Sequence, residues 1–208
     1  VYTYSSLASS RGGGLTGFSG SSISDSYATG NAYASSSSSS SSEVYAGGLV
    51  GYNNSRGSIT NSYSAGNVSA YFSSSSSSEV YAGGLVGYSS SSSITDSYYY
   101  SKATVDGRSK TNYGKALTTD QMTGVGEGRA TEKMEGFKDS GNWDFNDDGN
   151  GVKYLPRVNG ITYNETTNPA PKFLSPFTAN DFGFKAPDNL TYDGSAKEAT
   201  VTSKISGI

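Results

Sequence analysis

An internal repeat of about 35 residues constrains the fold more than any other feature of the sequence. Its three copies contain RGGGLTGF from Arg11, YAGGLVGY from Tyr45 and YAGGLVGY from Tyr81. Each phrase is followed by a segment of the type SIxxSY, whose internal spacing is the same in all three copies. A repeat of this length is one supersecondary unit that buries its apolar face only against its neighbours. The copies are therefore expected to stack on one another.

The local sequence favours short strands within each copy. GGLVGY, SITNSYS and NVSA are β-favouring pieces separated by glycine, asparagine and serine, and glycine destabilises a helix interior by about 0.5–1 kcal/mol relative to alanine. We predict an all-β fold, a right-handed β-solenoid (β-helix) of about three repeats. Equivalent residues of successive copies should form inward-facing ladders: Leu15/Leu49/Leu85, Ile23/Ile59/Ile94 and Ala32/Val68/Ala103.

The composition excludes several classes of chemistry. The chain contains no histidine and no cysteine, so it can form neither a Ser-His-Asp triad nor a thiol nucleophile nor a His/Cys zinc site. Its net charge of −3 argues against nucleic acid as a partner, and no apolar run is long enough to predict membrane insertion. We therefore expect a protein that is not an enzyme.

The repeated phrases GGLTGF and GGLVGY, each followed by SIxxSY, resemble GLUG repeats, which occur in secreted and cell-surface bacterial proteins, including non-catalytic parts of immunoglobulin A peptidases. The resemblance covers about residues 11–104. It implies a location that is secreted or on the bacterial cell wall. The third copy departs from the pattern, because YYSKA replaces the TGN and AGN of the first two copies.

Three regions are expected along the chain. Residues 1–110 should form the repeats, and residues 111–165, with two short helical candidates and Trp143, should form a mixed C-terminal cap over the last repeat. Residues 166–208 should be a proline-rich linker and the start of an immunoglobulin-like β module. This last segment resembles bacterial surface modules that carry Y-D-G-x-x-K, here YDGSAK. It is too short for a complete sandwich of about 100 residues.

Two serine runs, Ser35–Ser42 and Ser73–Ser78, separate the copies and are expected to form loops on one side of the stack. One interpretation is a solvated insertion, since lengthening a polar loop costs little entropy. The other is a glycosylated or ligand-presenting edge. The sequence does not separate them.

The strongest local motif for a metal is DFNDDGN, in which Asp144, Asn146 and Asp148 match the first half of a calcium loop. Position 12 of that loop falls on Leu155 instead of a bidentate acid, so a major ligand is missing. The alternatives are a calcium site and a turn stabilised by its own side-chain hydrogen bonds. No other cofactor is expected.

The chain holds 17 tyrosines, and Tyr52, Tyr88 and Tyr99 are the candidate ligand-binding residues. Aromatic stripes can stack on sugars or proteins, and they can also simply stabilise neighbouring strands. Glu43 and Glu79 occupy equivalent positions of two copies, and repetition explains them better than a catalytic carboxylate pair.

Together these features predict a non-catalytic stalk or ligand-presenting section of a bacterial adhesin-like protein. It would bind a host or matrix glycan or glycoprotein through exposed loops and tyrosines, as a monomeric section of a longer chain. The alternative is an accessory, substrate-engaging module of a large extracellular peptidase or glycosidase whose active site lies outside this chain.

Overall fold

The computed structural model describes residues 1–5, 9–37, 42–73, 79–90, 93–123, 134–145, 155–161, 171, 182–185 and 200–203. The chain divides into two compact units, Val1–Phe173 and Leu174–Ile208. Strands dominate the described residues, and the sheets of the larger unit are mainly parallel. The prediction of an all-β fold is confirmed.

The repeats form five parallel sheets, and each sheet takes one strand from every copy in chain order. We call the three copies rungs; they comprise residues 1–31, 32–67 and 68–104. Sheet A contains β1 (Tyr2–Ser5), β6 (Ala32–Ser36), β11 (Val68–Phe72) and β16 (Val105–Asp106). Sheet B contains β2 (Ser10–Gly13), β7 (Val44–Gly47), β12 (Val80–Gly83) and β17 (Ser109–Thr111).

The other three parallel sheets follow in the same way. Sheet C contains β3 (Thr16–Ser19), β8 (Val50–Asn53) and β13 (Val86–Ser89), and sheet D contains β4 (Ile23–Ser24), β9 (Ile59–Thr60) and β14 (Ile94–Thr95). Sheet E contains β5 (Tyr27–Ala28), β10 (Tyr63–Ser64), β15 (Tyr98–Tyr100) and β18 (Lys115–Leu117). Strands of two to five residues are too short to stand alone, and they are held by neighbours in the adjacent rungs.

Two of the three predicted sets are joined as ladders, but Leu15 is 49% exposed, which corrects the inward position predicted for it. The isoleucines of sheet D pair in register, and the leucine set is joined by backbone hydrogen bonds from Leu15 N–H to Leu49 C=O and from Leu49 N–H to the third leucine. The third set is wrong at one position, because Val68 pairs with Val105 and not with Ala103. Ala103 instead lies in a turn, where its N–H donates to the carbonyl of Tyr100.

Two narrow cores explain how a chain with few large apolar residues folds. The first core, which sheets A and B supply, contains Phe72 and seven smaller side chains, namely Ala34, Val44, Ala46, Val68, Ala70, Val80 and Ala82. The second is built around the buried leucines and isoleucines of the repeat, with Leu49, Ile59 and Leu85 fully buried. The glycines of the repeated phrase permit this close packing: a Cβ on Gly48 would lie 2.0 Å from the carbonyl oxygen of Gly84 in the next rung.

A left-handed turn joins sheet D to sheet E in every rung. Asp25, Asn61 and Asp96 adopt φ values of 48°, 49° and 45° at the equivalent position of SIxxSY. Aspartate and asparagine tolerate this region better than other residues with a side chain, because their short polar side chains can hydrogen-bond locally. This turn therefore explains why the repeat carries one of the two residues there.

The segment after the repeats first extends the parallel sheets and then packs on the side of the stack. Strands β17 and β18 pair with strands of the third rung. The helices α1 (Thr119–Thr123) and α2 (Glu135–Ser140) and the antiparallel pair β19 (Trp143–Asp144) and β20 (Arg157–Val158) follow. Phe137 and Trp143 of this part pack on the side of the stack, against the tyrosines of sheet E, and not over its end.

The serine runs lie only partly in loops. Ser35 and Ser36 belong to β6 and are buried, and Ser42 is buried as well, which corrects the prediction of solvated serines at these three positions. Ser37 and Ser73 are exposed. Residues 38–41 and 74–78 lie outside the described residues.

The unit Leu174–Ile208 contains an antiparallel pair, β21 (Phe182–Lys185) and β22 (Thr200–Ser203), in which Phe182 pairs with Ser203. The YDGSAK phrase between these strands lies outside the described residues. The immunoglobulin-like module stays a prediction.

Candidate binding surfaces

Two of the three predicted tyrosines lie together in an aromatic row on sheet C. Phe18, Tyr52 and Tyr88 occupy equivalent positions of the three rungs. The ring centroids of Phe18 and Tyr52 are 5.7 Å apart, and those of Tyr52 and Tyr88 are 5.6 Å apart, with interplanar angles of 4° and 17°. Tyr52 therefore has a ring against each of its faces, and the row presents mainly ring edges and hydroxyl groups to a ligand.

A second column of rings supports the aromatic row from sheet B. Tyr45 and Tyr81 stack on each other at 5.8 Å, and Tyr45 lies 5.1 Å from Tyr52. Tyr45 is only 2% exposed. At the first rung the guanidinium of Arg11 lies 5.6 Å from the Phe18 ring centroid and 5.2 Å from that of Tyr52. The column thus acts as packing, and Arg11, which pairs in register with Tyr45, takes the place of a tyrosine beside the row in the first rung.

Glu43 and Glu79 each lie beside a tyrosine of their own rung. Burial, together with a hydrogen bond to the Glu43 carboxylate, raises the pKa of the Tyr45 phenol above its ordinary value. Burial and the negative charge of Glu79 raise the pKa of Tyr81 in the same way. Each carboxylate is therefore engaged by a phenol of its own rung, which supports the interpretation of these acids as a repeated structural feature.

Tyr99 lies away from the aromatic row. It belongs to sheet E and packs against the core of buried leucines and isoleucines. A Cβ on Gly84 would lie 2.2 Å from its ring, so the ring covers the glycine of the repeated phrase. The structure does not bring Tyr99 together with Tyr52 and Tyr88.

The outer face of sheet A carries a second group of tyrosines that the sequence analysis missed. We call Tyr2, Tyr4, Tyr33 and Tyr71 the tyrosine face. Tyr2, Tyr4 and Tyr71 are 69%, 59% and 56% exposed, and Tyr2 stacks on Tyr33 with 4.6 Å between ring centroids. Tyr4 and Tyr71 both pair in register with Ser35, one on each side of it. The alternate residues of the same strands point into the core between sheets A and B.

The chemistry of the tyrosine face is aromatic and hydroxyl-rich. Strands β1, β6 and β11 read YTYS, AYASS and VSAYF and contain no charged residue. The Tyr4 hydroxyl is hydrogen-bonded to the Ser37 hydroxyl at 2.7 Å. The sequence signal was the alternation of tyrosine with small residues next to the serine runs, and the low-complexity serines obscured it.

Of the three predicted calcium ligands, only Asp144 lies within the described residues. Its Oδ2 accepts a hydrogen bond from Arg157 Nη2 at 2.7 Å, in an ion pair between the two strands β19 and β20. Asn146 and Asp148 lie outside the described residues. A cation bound through Asp144 would compete with the guanidinium for this oxygen. Within the described ranges, no three acidic side chains are grouped so that they could hold a metal ion.

The comparisons with known proteins agree with the repeat. The family model of the GLUG motif matches residues 42–69, which run from the residue pair before β7 to the first residues of β11. The chain therefore contains a GLUG motif. Neither the curated proteins nor the solved structures gave a match. Among the described residues, no helix has the length and apolar character needed to cross a membrane.

Proposed function

We propose that this chain is a non-catalytic, ligand-presenting section of a secreted or cell-surface adhesin-like protein, and that it binds glycans through the tyrosine face. We also propose that its rungs form a right-handed β-solenoid. The in-register parallel pairing of successive copies supports this architecture. A solenoid is a stiff support that holds a binding surface in a fixed geometry.

One observation carries the proposal: three tyrosines on the outer face of sheet A, on strands β1 and β11 that hold no charged residue, are each more than half exposed. A monomeric protein seldom exposes several large aromatic side chains on one face unless they serve an interaction. Tyrosine offers rigid apolar area with a polar tip, which suits a sugar ring with one apolar face and a rim of hydroxyl groups. The absence of charge on β1, β6 and β11 favours a neutral glycan over an anionic one.

The repeat gives the face its dimensions. Neighbouring parallel strands lie about 4.8 Å apart, so Tyr4 and Tyr71, which are separated by β6, lie about 10 Å apart along the stack. Contacts at that spacing suit an extended chain of sugars better than a single monosaccharide. Several weak contacts along one chain add to a useful affinity.

A glycan array with the purified chain, followed by titration of the strongest ligand, tests the proposal. The Tyr4→Ala/Tyr71→Ala variant should lose at least about tenfold in affinity, since each aromatic contact contributes about 0.5–1.5 kcal/mol beyond its buried area. Tyr71→Phe should keep most of the binding, because it retains the ring.

The matched control is Tyr52→Ala/Tyr88→Ala, which removes two tyrosines of the aromatic row. Circular dichroism and the melting temperature show whether each variant is folded. Binding that survives in the Tyr4/Tyr71 variant, or that is lost only in the folded Tyr52/Tyr88 variant, would refute the tyrosine face as the site. A chain that binds no glycan would refute the function.

A further inference from the structure

The two ends of the rung stack differ in how well they are covered. Leu15 of the first rung is 49% exposed, whereas its equivalents Leu49 and Leu85 are completely buried. The first rung also supplies most of the large apolar side chains that are exposed in the described part of the chain: Val1, Tyr2, Tyr4, Leu15 and Phe18. The first rung therefore ends in an open apolar surface.

The opposite end is closed and charged. Strands β16, β17 and β18 extend sheets A, B and E beyond the third rung. Tyr113 packs against the core there, and a Cβ on Gly114 would lie 2.7 Å from a methyl group of Leu85. The same segment carries Arg108, Lys110 and Lys115, and Lys102 lies in the turn just before it. Charged residues, lysine above all, on edge strands prevent unwanted pairing.

The strands at the open end lack this protection. The edge strands β1 to β5 read YTYS, SRGG, TGFS, IS and YA, with Arg11 as their single charged residue. The residues of the open surface occupy the same repeat positions as the residues of the second rung that contact the first rung. In that interface Leu15 N–H donates to Leu49 C=O, and Tyr33 N–H donates to Val1 C=O.

We infer that the open end of the first rung is a docking surface for one further rung of the same Gly-Gly-Leu-x-Gly repeat. Such a rung would cover Leu15 as the first rung covers Leu49, and it would extend sheets A to E by one strand each. The register defines where it connects: Tyr2 pairs with Tyr33, which pairs with Ser69, so Val1 occupies the position of Val68. A rung inserted directly before Val1 should therefore have the same length as the second rung, residues 32–67.

The test inserts a second copy of residues 32–67 directly before Val1 and places a reporter thiol at Leu15→Cys. The chain has no other cysteine, so the rate of reaction with a thiol reagent reports on this position alone. Docking should slow the reaction at least about tenfold, since the position becomes buried as Leu49 is. The melting temperature should also rise, because a further rung adds a stacking interface.

The matched control is the same insertion with aspartate at the inserted equivalent of Leu49, which should leave the thiol as reactive as in the chain without insertion. Equal reaction rates for the two insertions would overturn the inference.

A second measurement tests whether a second copy of the chain, instead of a further rung, covers the open end. It is sedimentation of the unmodified chain over a range of concentrations. A dimer that Leu15→Lys abolishes and Tyr71→Lys preserves would mean that a second copy covers this end, which would also overturn the inference. A chain that stays monomeric supports it.

Discussion

The difference between equivalent leucines makes a quantitative prediction. Replacing Leu49 by alanine should lower the free energy of unfolding by about 2–5 kcal/mol, the range for a fully buried leucine whose cavity cannot collapse. The same change at Leu15 should cost about 1 kcal/mol, because half of that side chain is already in water and burying a whole leucine is worth about 1.5–3 kcal/mol. Urea unfolding of both variants, followed by circular dichroism, measures the difference.

Leu85→Ala is the internal control for this series, since Leu85 is as buried as Leu49 and should lose a similar amount. A loss at Leu15 equal to that at Leu49 would show that the first leucine is already covered in solution. It would refute both the graded burial of the ladder and the reasoning about the open end. Unchanged m-values across the three variants would show that the comparison concerns stability alone.

Three further predictions follow from the close packing, the buried phenol and the ion pair. Gly48→Ala should destabilise the chain by about 3 kcal/mol or more in urea unfolding, because its Cβ would clash with the backbone of the next rung. Gly30→Ala is the control: its Cβ would have no atom within 4 Å, so the free energy of unfolding should change by no more than about 1 kcal/mol. Burial raises the pKa of Tyr98 to about 12, so the folded state keeps a proton that the unfolded chain releases near pH 10. The contribution of Tyr98 to the free energy of unfolding should be fully present below about pH 10 and fall towards pH 12, by up to about 1.4 kcal/mol per pH unit. Urea midpoints measured across this pH range should fall less steeply in Tyr98→Phe than in wild type. If calcium binds at Asp144, the calcium-dependent rise in melting temperature should be larger in Arg157→Gln than in wild type, since the guanidinium no longer competes; equal shifts would contradict that competition.

The repeat made much of the stack predictable, and the error in it has a definite cause. The spacing from SIxxSY onwards is constant in the first two copies, so Val68 follows Tyr63 by five residues. In the third copy Val105 follows Tyr98 by seven, because a turn through Ala103 replaces the Gly-Asn turn. An alignment by residue count therefore placed Ala103 in a ladder position that belongs to Val105.

Neither the side-on packing of the C-terminal segment nor the tyrosine face followed from the sequence. Aromatic residues such as Phe137 and Trp143 indicate a covered surface, but they do not indicate which one. The repeat places a tyrosine at Tyr27, Tyr63 and Tyr98, and only the structure shows that these rings pack against the C-terminal segment. Tyr4 and Tyr71 occupy equivalent positions of the first and third rungs, but the second rung has Ser35 there, so the search for recurring tyrosines passed over them.

The packing of the C-terminal segment on the side of the stack also constrains the number of rungs that it spans. Asn142 Nδ2 donates to Asp25 Oδ2 in the first rung at 3.1 Å, while Gly136 lies close against Asp96 in the third rung. Losing or gaining a rung between these contacts would shift one of them by about 4.8 Å, more than a hydrogen bond can span. The C-terminal segment therefore fixes the number of rungs between its two contacts at three. A copy added in front of the first rung would leave both contacts in place, whereas a copy inserted between the first and third rungs would break one of them.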